Sequence, residues 1–478
     1  MRNLKHIFVL LMLLCGLQLQ AQTQAQAKAL YDEGNYEEAK PALESLLKKQ
    51  PTNANLNLWY GVCCLETGDI SEAVKYLEQA VKRRATGGQF YLGKAYYQAS
   101  RFEEAVKTVE TYISDLKKRK KETDEAETLL EKCRNGLREI RGVERVTVID
   151  SIVVDKPAFL THYRLSPESG LLTSDNEFSP QGALEGGTVY QNELGNIAYF
   201  SGKEDSTLSI FRAVRLLDGS IELAPLSNEI NKGQNTNYPF VTSDGNTIYF
   251  AADGKESMGG YDIFVTRFNS NNNTYLQPEN IGMPFNSPFN DYMYAVDEFN
   301  NLGWFASDRY QPEGKVCIYV FIPNTSKQVY DYENTERDRL IGLSRLSSIR
   351  DTWTDQSAVD AALERLGRVK QPTVQQAAVK HEFEFSIDDT RTYYKISDFQ
   401  SADAREFFRQ YRQMVQSLDE LNNRLDSQRE QYATASSNQK QDLAPAILDL
   451  EKRVAQLQKD IDRAANMVRR EEQAFLKQ

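Results

Sequence analysis

The sequence predicts a multidomain chain of α plus all-β class, with helical repeats first, β units of four strands second, and an antiparallel helical hairpin or coiled coil last. Three observations carry this. Ala39 and Ala73 lie 34 residues apart, Ala105 follows 32 later, and similar sequence surrounds each. Between 188 and 323, three stretches repeat short runs of Tyr, Phe, Ile and Val broken by Gly, Asn and Asp. Two heptad runs follow Ala404. A repeat unit cannot bury its apolar face alone, so neighbours must stack, and a stack offers a broad surface rather than one deep pocket. The pattern points to a binding scaffold.

Residues 1–21 read as an export signal. Arg2 and Lys5 precede an apolar stretch from Ile7 to Leu19 that is too short to span a membrane, and polar sequence rich in Gln and Ala follows. Ala21 is the expected cleavage position, with Gln22 as the new N-terminus. Cys15 opens the alternative of a lipid anchor, although Leu13 and Leu14 replace the small residue such signals place before the Cys. The mature chain is therefore expected to be exported and soluble, and periplasmic. Its 478 residues suffice for about three domains. A net charge of −11 argues against nucleic acid as a partner. Cys63, Cys64, Cys133 and Cys317 fit no zinc spacing and form no disulfide framework. They read as buried apolar residues, with a bridge from Cys133 to the Cys63/Cys64 pair left open.

In residues 22–142, "YDEGNYEEAKPAL", "LETGDISEAVKYL" and "YQASRFEEAVKTV" align without gaps, placing Gly34 on Gly68 and Ser100. The Gly position lets the chain turn between two antiparallel helices, and the Ala position sits where they cross. Pro51 ends the first pair. Gly61 and Gly93 each precede the repeat Ala by 12 residues, and Ala80 fills a later small position. This resembles the tetratricopeptide repeat over residues 24 to 113, with Ala27 marking a degraded first copy. "KKRKKETDEAETLLEKCRNGLREIRG" adds a closing helix, and Lys117 to Lys121 read as a solvated helix end. The resemblance directs Lys28, Tyr31, Asn55, Leu58, Val62, Leu65, Phe90, Lys94 and Tyr97 to one concave face. Such a groove takes a peptide or helix, or is filled by another part of the chain. The basic set that clamps a peptide carboxylate is incomplete.

In residues 143–323, Asp244-Gly245 between alternating strands is a hairpin signal. Tyr199-Phe200, Tyr249-Phe250 and Trp304-Phe305 align as an aromatic pair, and Phe211, Phe264 and Tyr319 align on the next strand. These units resemble blades of the TolB-type, WD40-like (PD40) β-propeller over residues 188 to 323. A propeller needs about four to eight blades, and four to six are expected here. "VTVIDSIVVD" with "THYRLSPESGLLTSD" is expected to form an earlier blade. Residues 324–400 read as a linker, polar and partly helical over 324 to 380, notably around Ala358 to Leu366, with a hairpin at "HEFEFSIDDTRTYYKISDF" available to close the ring. Asp253, Asp262 and Asp308 invite a calcium hypothesis, but they lack a regular carboxylate loop and read as turn caps.

In residues 401–478, Tyr411, Met414, Leu418, Leu421, Leu425, Gln428 and Tyr432 form one seam. Leu443, Ile447, Leu450, Val454, Leu457, Ile461, Ala464 and Val468 form the other. An antiparallel hairpin is the simplest reading, with Asp442 as helix cap and Pro445 in the first turn. A dimerising coiled coil or docking on a partner stays open.

No H-E-x-x-H, G-x-S-x-G or P-loop pattern occurs, and His6, His162 and His381 are scattered. No catalytic residue, metal or cofactor is expected. Helical repeats followed by this propeller type resemble envelope proteins of the Bacteroidota, some linked to secretion. The resemblance implies a non-enzymatic scaffold whose partners are envelope proteins or peptides, with outer-membrane association through a partner. A glycan- or peptide-processing enzyme with a propeller-borne site is the alternative.

Overall fold

A computed structural model describes residues 24–173, 187–204, 207–369, 383, 385–388, 391–434 and 437–476. The proposed export signal, Cys15 and His381 lie outside the described residues. The chain divides into two compact units, Met1–Arg141 and Gly142–Gln478.

The first unit is built of helices α1 (Gln24–Asp32), α2 (Tyr36–Lys49), α3 (Ala54–Glu66), α4 (Ile70–Lys82), α5 (Gly88–Gln98), α6 (Phe102–Lys118) and α7 (Asp124–Glu139). Helices α2, α4 and α6 are amphipathic and bury the repeat alanines Ala39, Ala73 and Ala105 completely. The aligned turn positions share a left-handed backbone, with φ of 80° at Gly34, 83° at Gly68 and 56° at Ser100. A Cβ on Gly93 would lie 2.4 Å from Val109 Cγ2, so this small residue is what lets α5 approach α6. Helix α7 is the expected closing helix, tied to α6 by Arg134–Glu110 at 2.7 Å. The bridge left open for Cys133 is absent: Cys63, Cys64, Cys133 and Cys317 are all free and buried.

Among the described residues, the second unit contains three antiparallel sheets of four or five strands and one two-stranded hairpin. The first runs β2 (Leu171–Thr173), β3 (Val189–Gln191), β4 (Ile197–Glu204), β5 (Thr207–Arg215), β6 (Ile221–Pro225). The second runs β7 (Thr236–Val241), β8 (Thr247–Ala252), β9 (Asp262–Asn269), with β10 (Thr274–Tyr275) and β11 (Glu279–Asn280) both on β9. The third combines β12 (Asp291–Asp297), β13 (Leu302–Ser307) and β14 (Lys315–Ile322) with β1 (Thr147–Asp155). The aromatic alignment is exact in register: Phe200 faces Phe211, Phe250 faces Phe264, and Phe305 faces Tyr319. Each pair stacks, with ring centroids 5.9, 5.9 and 5.0 Å apart. Equivalent bulges bend β7 and β12, where Tyr238 and Met293 take φ of 57° and 37°. A 3-10 helix, Lys156–His162, sets Phe159 against Tyr163, Tyr238 and Tyr292.

Three expectations are corrected. The segment expected to start an earlier blade instead divides: β1 pairs along β14 and completes the third sheet, whereas β2 joins the first. The segment expected as a partly helical linker has its helix at Ala358 to Leu366, but it packs into the fold rather than merely connecting. Its helices α8 (Arg337–Arg345) and α9 (Gln356–Val369) bury apolar residues, and Val359, Ala362 and Leu366 of α9 enter the main core of the sheets. The late hairpin, β15 (Phe385–Asp388) with β16 (Arg391–Tyr393), packs its Phe385, Ile387 and Tyr393 with Phe399, Phe408 and Val468 rather than adding a blade. Aromatic side chains there find a larger apolar face on the C-terminal helices.

Those helices are α10 (Ala402–Thr434) and α11 (Ser437–Leu476). Leu425 meets Ile447 and Leu450, whereas Phe408 meets Ala465 and Val468, so they run antiparallel. Helix α11 starts earlier than expected, which puts Pro445 inside it. Among the described residues, no helix is long and apolar enough to cross a membrane.

Candidate functional site

The first helix of each repeat pair supplies the expected groove. The structure separates its nine residues into two groups. Leu58, Val62, Leu65 and Tyr97 are buried. In α3, every residue from Leu56 to Leu65 except Trp59 is buried, because this apolar helix packs against α1, α2, α4 and α5. These four side chains hold the stack together and offer no surface to a partner, which corrects the expectation.

Lys28, Tyr31, Phe90 and Lys94 are partly exposed, and Asn55 is exposed in the first turn of α3. The Lys28 ammonium stands 5.4 Å from the Tyr31 ring centroid and 5.2 Å from that of Trp59, and pairs with Asp32. Tyr31 lies 6.2 Å from Trp59 and 5.9 Å from Tyr36, ring to ring. Its phenol is held well above its ordinary value by burial, then by Tyr91 and Tyr36. It therefore stays neutral. Phe90 packs 5.6 Å from Tyr91 and 5.8 Å from Tyr112. Lys94 stands 6.0 Å from the Tyr91 ring and pairs with Glu66 at 3.3 Å.

The accessible site is thus an aromatic ledge of Tyr31, Trp59, Phe90 and Tyr91, carrying two lysines. Trp59 and Tyr91 were missed by the register argument, yet the signal was present. Each stands two residues before an aligned Gly, Gly61 or Gly93, so the repeat itself pairs them. Rigid aromatic faces beside ammonium groups suit the apolar and acidic side chains of a polypeptide.

The ledge holds no evident nucleophile. Burial pushes the thiols of Cys63 and Cys64 up to about 12 and about 11, so neither is a thiolate near neutral pH. In the second unit, Asp253, Asp262 and Asp308 bind the backbone and side-chain amides of neighbouring turns. Asp253 accepts from Asn235 N and Nδ2, and Asp308 repeats this with Asn290 N and Nδ2. Asp262 accepts from Met258 N, Gly259 N and Asn280 Nδ2. They act as turn caps, and among the described residues no group of three His, Cys, Asp or Glu could hold a metal. No curated protein matches the chain. Residues 30–87 and residues 65–117 each match a family model described as tetratricopeptide repeat, which identifies the helical region as a module of the kind that mediates protein–protein interaction.

Proposed function

We propose that this chain is an exported, non-enzymatic scaffold that binds proteins or peptides of the bacterial cell envelope. The observation that carries this reading is the aromatic ledge on the tetratricopeptide repeats, whose Tyr31, Trp59, Phe90 and Tyr91 remain partly exposed while the other α3 residues from Leu56 to Leu65 are buried. Export is supported by the basic, apolar and polar order of residues 1–22. A WD40-like propeller is supported by three successive antiparallel sheets with the same stacked aromatic pair. The secretion-linked Bacteroidota assignment and the outer-membrane association rest on the sequence resemblance alone.

Crosslinking and capture from the native envelope test this directly, with Trp59→Ala/Tyr91→Ala as the discriminating variant. An interfacial aromatic anchor is worth about 2 kcal/mol or more, so at least one partner should drop below detection. Retention of the full partner set by a variant with native circular dichroism would dismiss the ledge. The captured native chain should begin near Gln22 by mass spectrometry; a chain starting at a lipidated Cys15 would replace the soluble form with an anchored one.

A further inference from the structure

A second surface lies on the β unit, at the end where its inner hairpins turn. The β3–β4 turn carries Leu194, the β5–β6 turn carries Leu217, and the β12–β13 turn carries Phe299. Leu194 is 79% exposed, Phe299 is 72% exposed and Leu217 is fully exposed. Hydrogen bonds link these turns at one end of the β unit. Arg215 N donates to Asn196 O at 2.8 Å, tying the first two turns together. Asp297, at the third turn, accepts from Ser166 N at 2.8 Å and Ser169 Oγ at 3.1 Å, in the loop that leads into β2 of the first sheet. Ser243 in the β7–β8 turn bonds to Glu298.

Each apolar tip stands next to a carboxylate in the chain: Glu193 beside Leu194, Asp218 beside Leu217, and Glu298 beside Phe299. All three acids are exposed. Scattered single apolar residues on a surface need no explanation, but three large ones gathered at one end do. The same pairing at three turns gives the face a definite chemistry of apolar anchors among negative charges. Anionic lipid headgroups and nucleic acid would be repelled by it.

We infer that this end of the β unit is a docking face for a cationic amphipathic protein segment, with Leu194, Leu217 and Phe299 entering its apolar side and Glu193, Asp218 and Glu298 meeting its Lys and Arg. The surface is separate from the helical ledge and does not depend on it.

The test uses the full chain and a synthetic amphipathic peptide of leucine and lysine as probe, with affinity followed by fluorescence anisotropy. The combined variant Leu194→Ser/Leu217→Ser/Phe299→Ser keeps every charge and replaces only exposed side chains, and its melting curve should match the parent. It should bind the peptide about tenfold more weakly or worse. Glu193→Gln/Glu298→Gln should also weaken binding and flatten its salt dependence. Equal affinity for the apolar variant and the parent would overturn the inference, because attraction to the net charge of −11 would then explain all binding. So would absence of binding by the parent. Leucine- and phenylalanine-dependent flotation with neutral phosphatidylcholine vesicles would overturn it too, by making the face a lipid contact.

Discussion

Asp291 and Arg309 form an ion pair at 2.6 Å with both side chains fully buried. The guanidinium also donates to Pro284 O, Phe285 O and Ser307 Oγ, so every face of the pair is engaged. Removing one partner leaves a charge in an apolar interior. Arg309→Met should destabilise the second unit by about 3–5 kcal/mol, and adding Asp291→Leu should restore much of the loss. Guanidinium titration of the two variants checks both halves. Ala73, fully buried at its helix crossing, has the opposite sensitivity. Ala73→Leu overpacks the contact and should cost about 1–3 kcal/mol, read as a lower melting temperature. The alanine was legible because three copies of the repeat mark it. Arg309 was not, since a buried arginine has the same sequence appearance as a surface one until β12 is laid beside β13.

At the scale of elements, local turns and strands were legible and their partners were not. The stacked aromatic pairs followed from alignment, because adjacent hairpin strands leave little choice of register. The partner of β1 did not follow, since Thr147 pairs with Ile322 far along the chain. The helix around Ala358 to Leu366 was legible, but the docking of residues 337–369 was not; their Thr352 and Trp353 clamp β1, where Val148 N donates to Thr352 Oγ1 at 3.0 Å and Trp353 Nε1 donates to Val148 O at 2.7 Å. Thr352→Val keeps the shape and strands a buried amide, so it should cost about 1–3 kcal/mol in thermal or denaturant unfolding. In the expected groove, periodicity identified the right helices. It could not separate Trp59 from Leu58, because a helix enclosed on all sides has no exposed stripe to read.

Across the whole molecule, stability should depend on pH through Asp262. This fully buried carboxyl is pushed up from 3.8 to about 8, by burial and then by the nearby charge of Asp291. Between those values the folded state holds a proton that the unfolded chain has released. The contribution is present at low pH and is lost as pH rises through about 8. The guanidinium midpoint should therefore fall from about pH 5 to about pH 8. Asp262→Asn, although itself less stable, should show a shallower slope. An equal slope in both proteins would assign the effect to other groups.

The pairing of Thr147 with Ile322 also sets an order in time. Strand β1 is made before any of the other strands, yet among the described residues its one sheet partner is β14, the last strand of the three sheets. Every residue between them must be delivered first, whether by the ribosome or by an export channel. Until then β1 waits with Ile152 and Val153, which stay exposed even in the finished fold, and with its whole backbone open to other chains. Closing so long a loop is slow compared with forming a hairpin. The period before β14 arrives is when this protein most needs a chaperone, and the amides of β1 should be the last in the β unit to gain protection from hydrogen exchange during refolding.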